Sequence, residues 1–310
     1  MQKYILIALY FIIANAVIAQ NLTIPTQYTQ STLSIKPKIG YSLSETAFNI
    51  AGNEQGTNPN ILSELIWDPT NSLEYGIEVK LNTNKFIINT DFQLNRTFMG
   101  NVSDIDYDGN NRTLITSELH LSNHEGNGYT LKLQPGYDWS NKDNLSFTTY
   151  LSFSYMQRNM YLLNDKDWNS SNMNYIDGLN SYYKYKFPNY GIGGQFNYQL
   201  NQKWATTIHL EGYLSKYYAY GNWNLIKEFE KPISYEHKGN GKKIDSGLGL
   251  TYKINSSTNI GINYNFNYFN VENGKDYLYH KTDGLLKAKL NAANETKHSI
   301  FIALQHHIAL

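Results

Sequence analysis

No cysteine occurs among the 310 residues, so the chain has no disulfide framework. A secreted soluble protein of this length often carries one, whereas a sheet closed into a barrel is rigid without it. No charge of either sign dominates: 26 Lys and Arg balance 26 Asp and Glu, and an isoelectric point of about 7.1 leaves no basic footprint for nucleic acid. Beyond the N-terminus no apolar run approaches the ~20 residues of a spanning helix. Mean hydropathy is −0.50, a value that speaks against a helical membrane protein but not against a β-barrel, in which only alternate strand residues meet lipid.

What the N-terminus does contain is a single positive charge in Met1 to Lys3, an apolar run from Tyr4 to Ile18 broken only by Asn15, and small residues at Val17 and Ala19. This is the pattern of a secretory signal peptide, residues 1–19, cleaved before Gln20. The run is nearer in length to a signal-peptide core than to a membrane anchor, and no stop-transfer segment follows. Residues 20–310 then read as one domain.

Aromatic residues make up 15% of the chain, with 27 Tyr, which fits the interfacial girdles of a membrane barrel and equally a soluble β-sandwich. Period-2 alternation decides between them. Ile260, Ile262, Tyr264, Phe266 and Tyr268 alternate with Asn259, Gly261, Asn263, Asn265 and Asn267, giving one apolar and one polar face. Similar runs occupy Phe86 to Phe98, Trp204 to Leu214, Leu145 to Tyr155, Ile244 to Tyr252 and Ile300 to Leu310. Sandwich strands have a mode near ~5–6 residues, whereas a tilted strand crosses a bilayer in ~9–11.

The pattern predicts strands over Leu33–Ile50, Asn60–Leu81, Lys85–Met99, Gly128–Trp139, Asn144–Leu163, Ser181–Gln199, Lys203–Tyr220, Pro232–Ile254, Thr258–Val271 and Thr296–Leu310. Tight turns at Asn82–Asn84, Asn141–Asp143, Leu200–Gln202 and Asn255–Ser257 alternate with long polar stretches at Gly52–Thr57, Gly100–Asn127, Asn164–Asn180, Gly221–Lys231 and Glu272–Glu295. The expected fold is all-β: a single ten-stranded antiparallel transmembrane barrel of the bacterial outer membrane, with short periplasmic turns and long extracellular loops.

Ten strands enclose a narrow lumen, since about eight already leave only room for side chains, so chemistry is expected at the extracellular rim. Asp104 and Asp106, two positions apart on an extended chain, point the same way and could share a proton, orient a water or, with Asp108, bind a cation. A solvated acidic loop would look the same. No His pair shows a metal spacing, and no metal or cofactor is expected.

Several segments resemble the omptins, outer-membrane endopeptidases built as ten-stranded barrels: Leu62-Ser-Glu-Leu-Ile-Trp67-Asp, the lead into Asp104-Ile-Asp106-Tyr, Tyr185-Lys-Phe-Pro-Asn-Tyr190-Gly-Ile-Gly-Gly, and Ile233-Ser-Tyr. Arg112–Asn127 looks like an insertion. The resemblance implies two Asp on one side of a rim groove, matched by Asp104 and Asp106, and an acid and a His on the other. At the matching positions stand Asn222 and Asn224, and an amide cannot take a proton from water. His237, after Glu236, is a second candidate base. The resemblance also implies lipopolysaccharide on the outer wall, with Tyr155, Arg158 and Lys186 as candidate contacts.

Two readings stay open. One is a monomeric surface barrel with a degenerate peptidase site that binds an extracellular ligand or peptide, or passes small solutes. The other is an active endopeptidase using Asp104 and Asp106.

Overall fold

The computed structural model describes residues 31–139, 144–165 and 175–310; the expected signal peptide and the turn at Asn141–Asp143 lie outside them. The strands are β1 (Thr32–Ile50), β2 (Ser63–Thr83), β3 (Phe86–Gly109), β4 (Thr113–Ser122), β5 (Gly126–Asp138), β6 (Leu145–Leu162), β7 (Ser181–Gln199), β8 (Trp204–Asn222), β9 (Tyr235–Lys253), β10 (Thr258–His280) and β11 (Gly284–Ala309). All pairings are antiparallel. β1 pairs with β2 and β11, and β2 with β3, so the sheet closes on itself.

Eleven strands stand where ten were expected, and the difference is local. β3 pairs with β5 along Phe86–Thr97 and with β4 along Asn101–Gly109. β4 and β5 therefore follow one another along the same neighbour and share one position in the ring. The stretch resembling an insertion is this extra strand. A related correction concerns Gly100–Asn127 and Glu272–Glu295, expected as loops: β10 and β11 stay paired up to His280 opposite Gly284. Apolar alternation stops where lipid stops, but ladder hydrogen bonds satisfy the backbone with any side chains.

The pleat sorts the side chains. Ile39, Ile192, Ile208, Leu248, Ile262 and Ile302 are each more than half exposed on the outer face, and on β10 the outward apolar set spans Ile260 to Tyr268, close to the ~9–11 residues that cross a bilayer. Trp204 against Tyr252 and Trp139 against Tyr137 sit at the end of the short turns, where aromatic girdles meet the interface. The tight turn after β2 is closed by Asn84 at φ 57°, a conformation Asn tolerates.

Inward, the lumen is layered. Lys36 pairs with Glu78 (2.9 Å) and Lys38 with Asp91 (2.7 Å) near the short turns. At mid-height Lys132 of β5 reaches across to Glu211 of β8 and Asp245 of β9, at 3.0 and 3.1 Å. Above them Lys297 meets Glu74 at 2.6 Å. Beyond this level the inner face turns apolar: Phe48, Trp67, Tyr183, Tyr185, Phe187 and Phe269 are buried in one cluster. On β7 the change needs no bulge, because Tyr183, Tyr185 and Phe187 share the inward parity of Gln195 and Asn197.

Candidate functional site

Asp104 and Asp106 lie on the part of β3 above the lipid-facing belt, on the parity of the buried Val102. Asp104 stands opposite Leu65 of β2 and Leu119 of β4. Burial, and then the neighbouring Asp106 carboxylate, pushes the Asp104 carboxyl up to about 8. Burial raises Asp106 as well, against a hydrogen bond from Ser63. Asp104 thus holds a proton at neutral pH. Its buried Oδ1 has no hydrogen-bond partner.

Tyr235 and His237 of β9 and Asp276 of β10 form the opposing group. The register sets His237 beside Asp276, and Nε2 lies 3.1 Å from Oδ1, off the line of a hydrogen bond. Nδ1 lies 2.9 Å from the Tyr183 hydroxyl, which is 2.6 Å from that of Tyr217. Phe48 packs edge-on against the imidazole at 4.6 Å, and Tyr235 tilts against it at 5.2 Å. His237 has no exposed surface. Burial raises the Tyr235 hydroxyl, and the charges of Asp104 and Asp276 raise it further, so the two groups share one electrostatic environment. Tyr235 can lie there because residue 221 is glycine: a Cβ would collide with its ring.

Asn222 and Asn224 do not join this cluster. Asn222 ends β8 opposite Tyr182, on the parity opposite to Gly221. The Asn224 Oδ1 accepts from the Asn180 amide and the Ser181 hydroxyl, both at 2.9 Å, and its Nδ2 donates to the Gly178 carbonyl at 2.8 Å. It clamps a loop. Asp276 and Tyr183 were not singled out from the sequence. The signal for Tyr183 is alternation of Tyr183, Tyr185 and Phe187 beyond the lipid-facing run; for Asp276 there is none short of the β9–β10 register.

The outer-wall expectation needs one correction. Arg158 is buried and lines the lumen, because it shares the inward parity of Ser152, Ser154 and Met156. Tyr155 does point outward, stacked on Tyr129 at 5.9 Å. The Lys186 ammonium is 5.9 Å from the Tyr218 ring, and Lys238 lies between Tyr218 and Tyr277 at 5.6 and 5.2 Å. Among the described residues no group of three or more His, Asp or Glu could hold a metal ion.

A closed antiparallel ring, an apolar outer belt and a polar lumen define an outer-membrane β-barrel. Residues 46–308 match the family model described as Pom, Protochlamydia outer membrane protein, and the chain belongs to that family. The fold is that of the outer membrane protease OmpT from Escherichia coli, to which it is similar with a TM-score of 0.70 over 92% of this chain and 99% of that one, at 14% identity. Likeness to Ail of Yersinia pestis (TM-score 0.30, 9% identity, 90% and 100% covered) and to OprG of Pseudomonas aeruginosa (0.33, 9%, 89% and 96%) is slight. No curated protein matches the chain in sequence. The protein is an outer-membrane barrel with the omptin fold.

Proposed function

We propose that this protein is a narrow-lumen barrel serving small-solute passage at the cell surface, with a rim that resembles a peptidase site but does not cleave peptides. One observation carries this reading: the lumen keeps a cavity of about 450 Å³ lined by charged and amide side chains, and the aromatic layer of Phe48, Trp67 and Tyr183 lies above it. A barrel that only displays loops has no need of such a space. The same layer buries His237, and a general base has to reach the water it deprotonates. Outward Lys186 and Tyr155 support contact with lipopolysaccharide.

The test is reconstitution in a planar bilayer. Small, short-lived conductance steps are expected, and Phe48→Ala with Trp67→Ala should lengthen or enlarge them. Silence from both the parent and the opened variant would remove the passage reading.

The endopeptidase reading retains one supporting observation, the electrostatic link of Tyr235 to both Asp104 and Asp276. It requires the cover on His237 to move. Cleavage of omptin-type peptides by the unmodified protein, lost in His237→Ala, would establish it.

A further inference from the structure

We propose that the lumen cavity holds a binding site for small zwitterions of the α-amino-acid class, with Arg158 receiving the carboxylate and Glu295 the ammonium. The proposal deepens the passage reading by naming its solute class, and it rests on that reading only for transport across the membrane.

Buried charges are ordinarily paired, and most of those in the lumen are. Lys36, Lys38, Lys132, Lys243 and Lys297 each lie within 3.1 Å of a carboxylate oxygen. Arg158 and Glu295 stand apart from this pattern. Both are buried and both line the cavity, yet among the described residues neither forms an ion pair. The five N–H donors of the guanidinium meet no acceptor in the protein, and its nitrogens open on the cavity rather than being sealed in the wall. Glu295 Oε2 accepts from the Tyr185 hydroxyl at 2.6 Å and from Thr46 at 3.3 Å, which leaves Oε1 open to the same space.

The ring sets the two charges face to face. With β4 and β5 sharing one position, β6 and β11 are five steps apart counted either way round, so Arg158 and Glu295 project from opposite walls. They do so at one height, because Arg158 is the ladder partner of Tyr185, whose hydroxyl reaches Glu295. A simple anion at Arg158 would also face the Glu295 charge, and a simple cation at Glu295 would face Arg158, so each loses what it gains. A solute with opposite charges on neighbouring atoms gains at both ends. Its carboxylate takes the planar fork of Arg158, its ammonium donates to Glu295 Oε1, and the net charge of the layer is unchanged.

Other lumen cations do not disturb this site. Lys297, at the same level, is held by Glu74 at 2.6 Å. Lys80 also lines the cavity without a carboxylate partner, but it lies ~20 Å beyond Glu74 along β2 by strand rise. Met156, Phe269 and Phe301 line the space and offer contact to an apolar side chain. The cavity volume of about 450 Å³ falls within the ~300–1,000 Å³ of small-molecule sites. Toward the short turns the cavity is lined by Asn197, Thr251 and Gln305, so the site is approached from that end without crossing the aromatic layer.

The experiment uses the folded mature barrel in detergent, titrated calorimetrically with L-alanine, L-lactate and L-alaninamide at about pH 6, where an α-amino group is protonated. Three solutes of nearly one size then carry both charges, the negative alone and the positive alone. Saturable alanine binding, tighter than that of either analogue, is expected. Glu295→Gln should weaken alanine by about 10-fold or more, the worth of a charge-assisted hydrogen bond, and should reverse the order of alanine and lactate. Arg158→Gln should do the same for alanine and alaninamide. A residue that only braces the wall would not exchange selectivity in this way, and folding is checked by heat-modifiable gel mobility. Absence of saturable alanine binding, or equal or tighter binding of lactate or alaninamide, overturns the proposal. Both outcomes are read on the parent protein, so a variant that fails to fold does not blunt the test. Bilayer conductance is measured separately, so a conducting barrel that ignores alanine refutes this inference alone, and a silent barrel that binds alanine refutes the passage reading alone.

Discussion

His237 Nε2 stands 3.1 Å from Oδ1 of Asp276 across the β9–β10 ladder, and the imidazole has no surface open to solvent. A histidine so enclosed holds the wall together. His237→Ala removes the hydrogen-bond partner of the buried Tyr183 hydroxyl and an aromatic neighbour of Phe48, so it should destabilise the barrel by about 1–3 kcal/mol, the cost of leaving a buried polar group unsatisfied. Urea unfolding in lipid vesicles, followed by tryptophan fluorescence, measures it. An unchanged midpoint would show that the pair contributes nothing to stability.

Asp104 makes stability depend on pH. Its carboxyl is raised from 3.8 to about 8 in the folded barrel, so the folded state keeps a proton that the unfolded chain releases. The stability this contributes is complete below about pH 4 and is lost as pH rises through about 8. Asp104→Asn should flatten that slope and make the variant more stable than the parent above pH 8, whereas Asp106→Asn should keep part of it. Unfolding midpoints across the pH range decide the matter.

The outer face can be mapped by charge. Ile262, Ile208 and Leu248 face lipid, so a Lys at any of them near the bilayer midplane should cost ~2–4 kcal/mol. Asn263→Lys and Asn265→Lys, at lumen-lining positions, should be milder. The reverse order in folding yield or midpoint would reverse the assignment of faces.

Topology is testable on intact cells. The tip of the β10–β11 hairpin at Thr282 lies far beyond the apolar belt, on the side of the long connections, while Asn255–Ser257 form a tight turn at the other end. A cysteine placed at Thr282 should react with an impermeant maleimide, and one at Ser256 should not. Labelling at Ser256 would invert the barrel.

Residues such as Ile260 to Tyr268 or Trp204 to Leu214 specify their strands by themselves, because a pleated chain offers lipid every second position and nothing else explains strict alternation over that length. The sequence by itself therefore determined the barrel, its lipid-facing residues, the short turns after β2, β7 and β9, and the shared direction of Asp104 and Asp106. Alternation falls silent wherever neither face meets lipid. This is why the β3–β4 and β10–β11 hairpins read as loops; Arg158 is placed on the outer wall by the resemblance alone, whereas its parity with Ser154 and Met156 turns it inward. Tertiary structure decided what faces what across the ring. Asp276 meets His237 only through the β9–β10 register, Tyr235 reaches its place only over Gly221, and Asn224 is drawn to Asn180 and Gly178 rather than toward the acids. Contacts between residues far apart in the chain depend on which strands close the barrel and in what stagger, and a local pattern of polar and apolar positions carries no record of that closure.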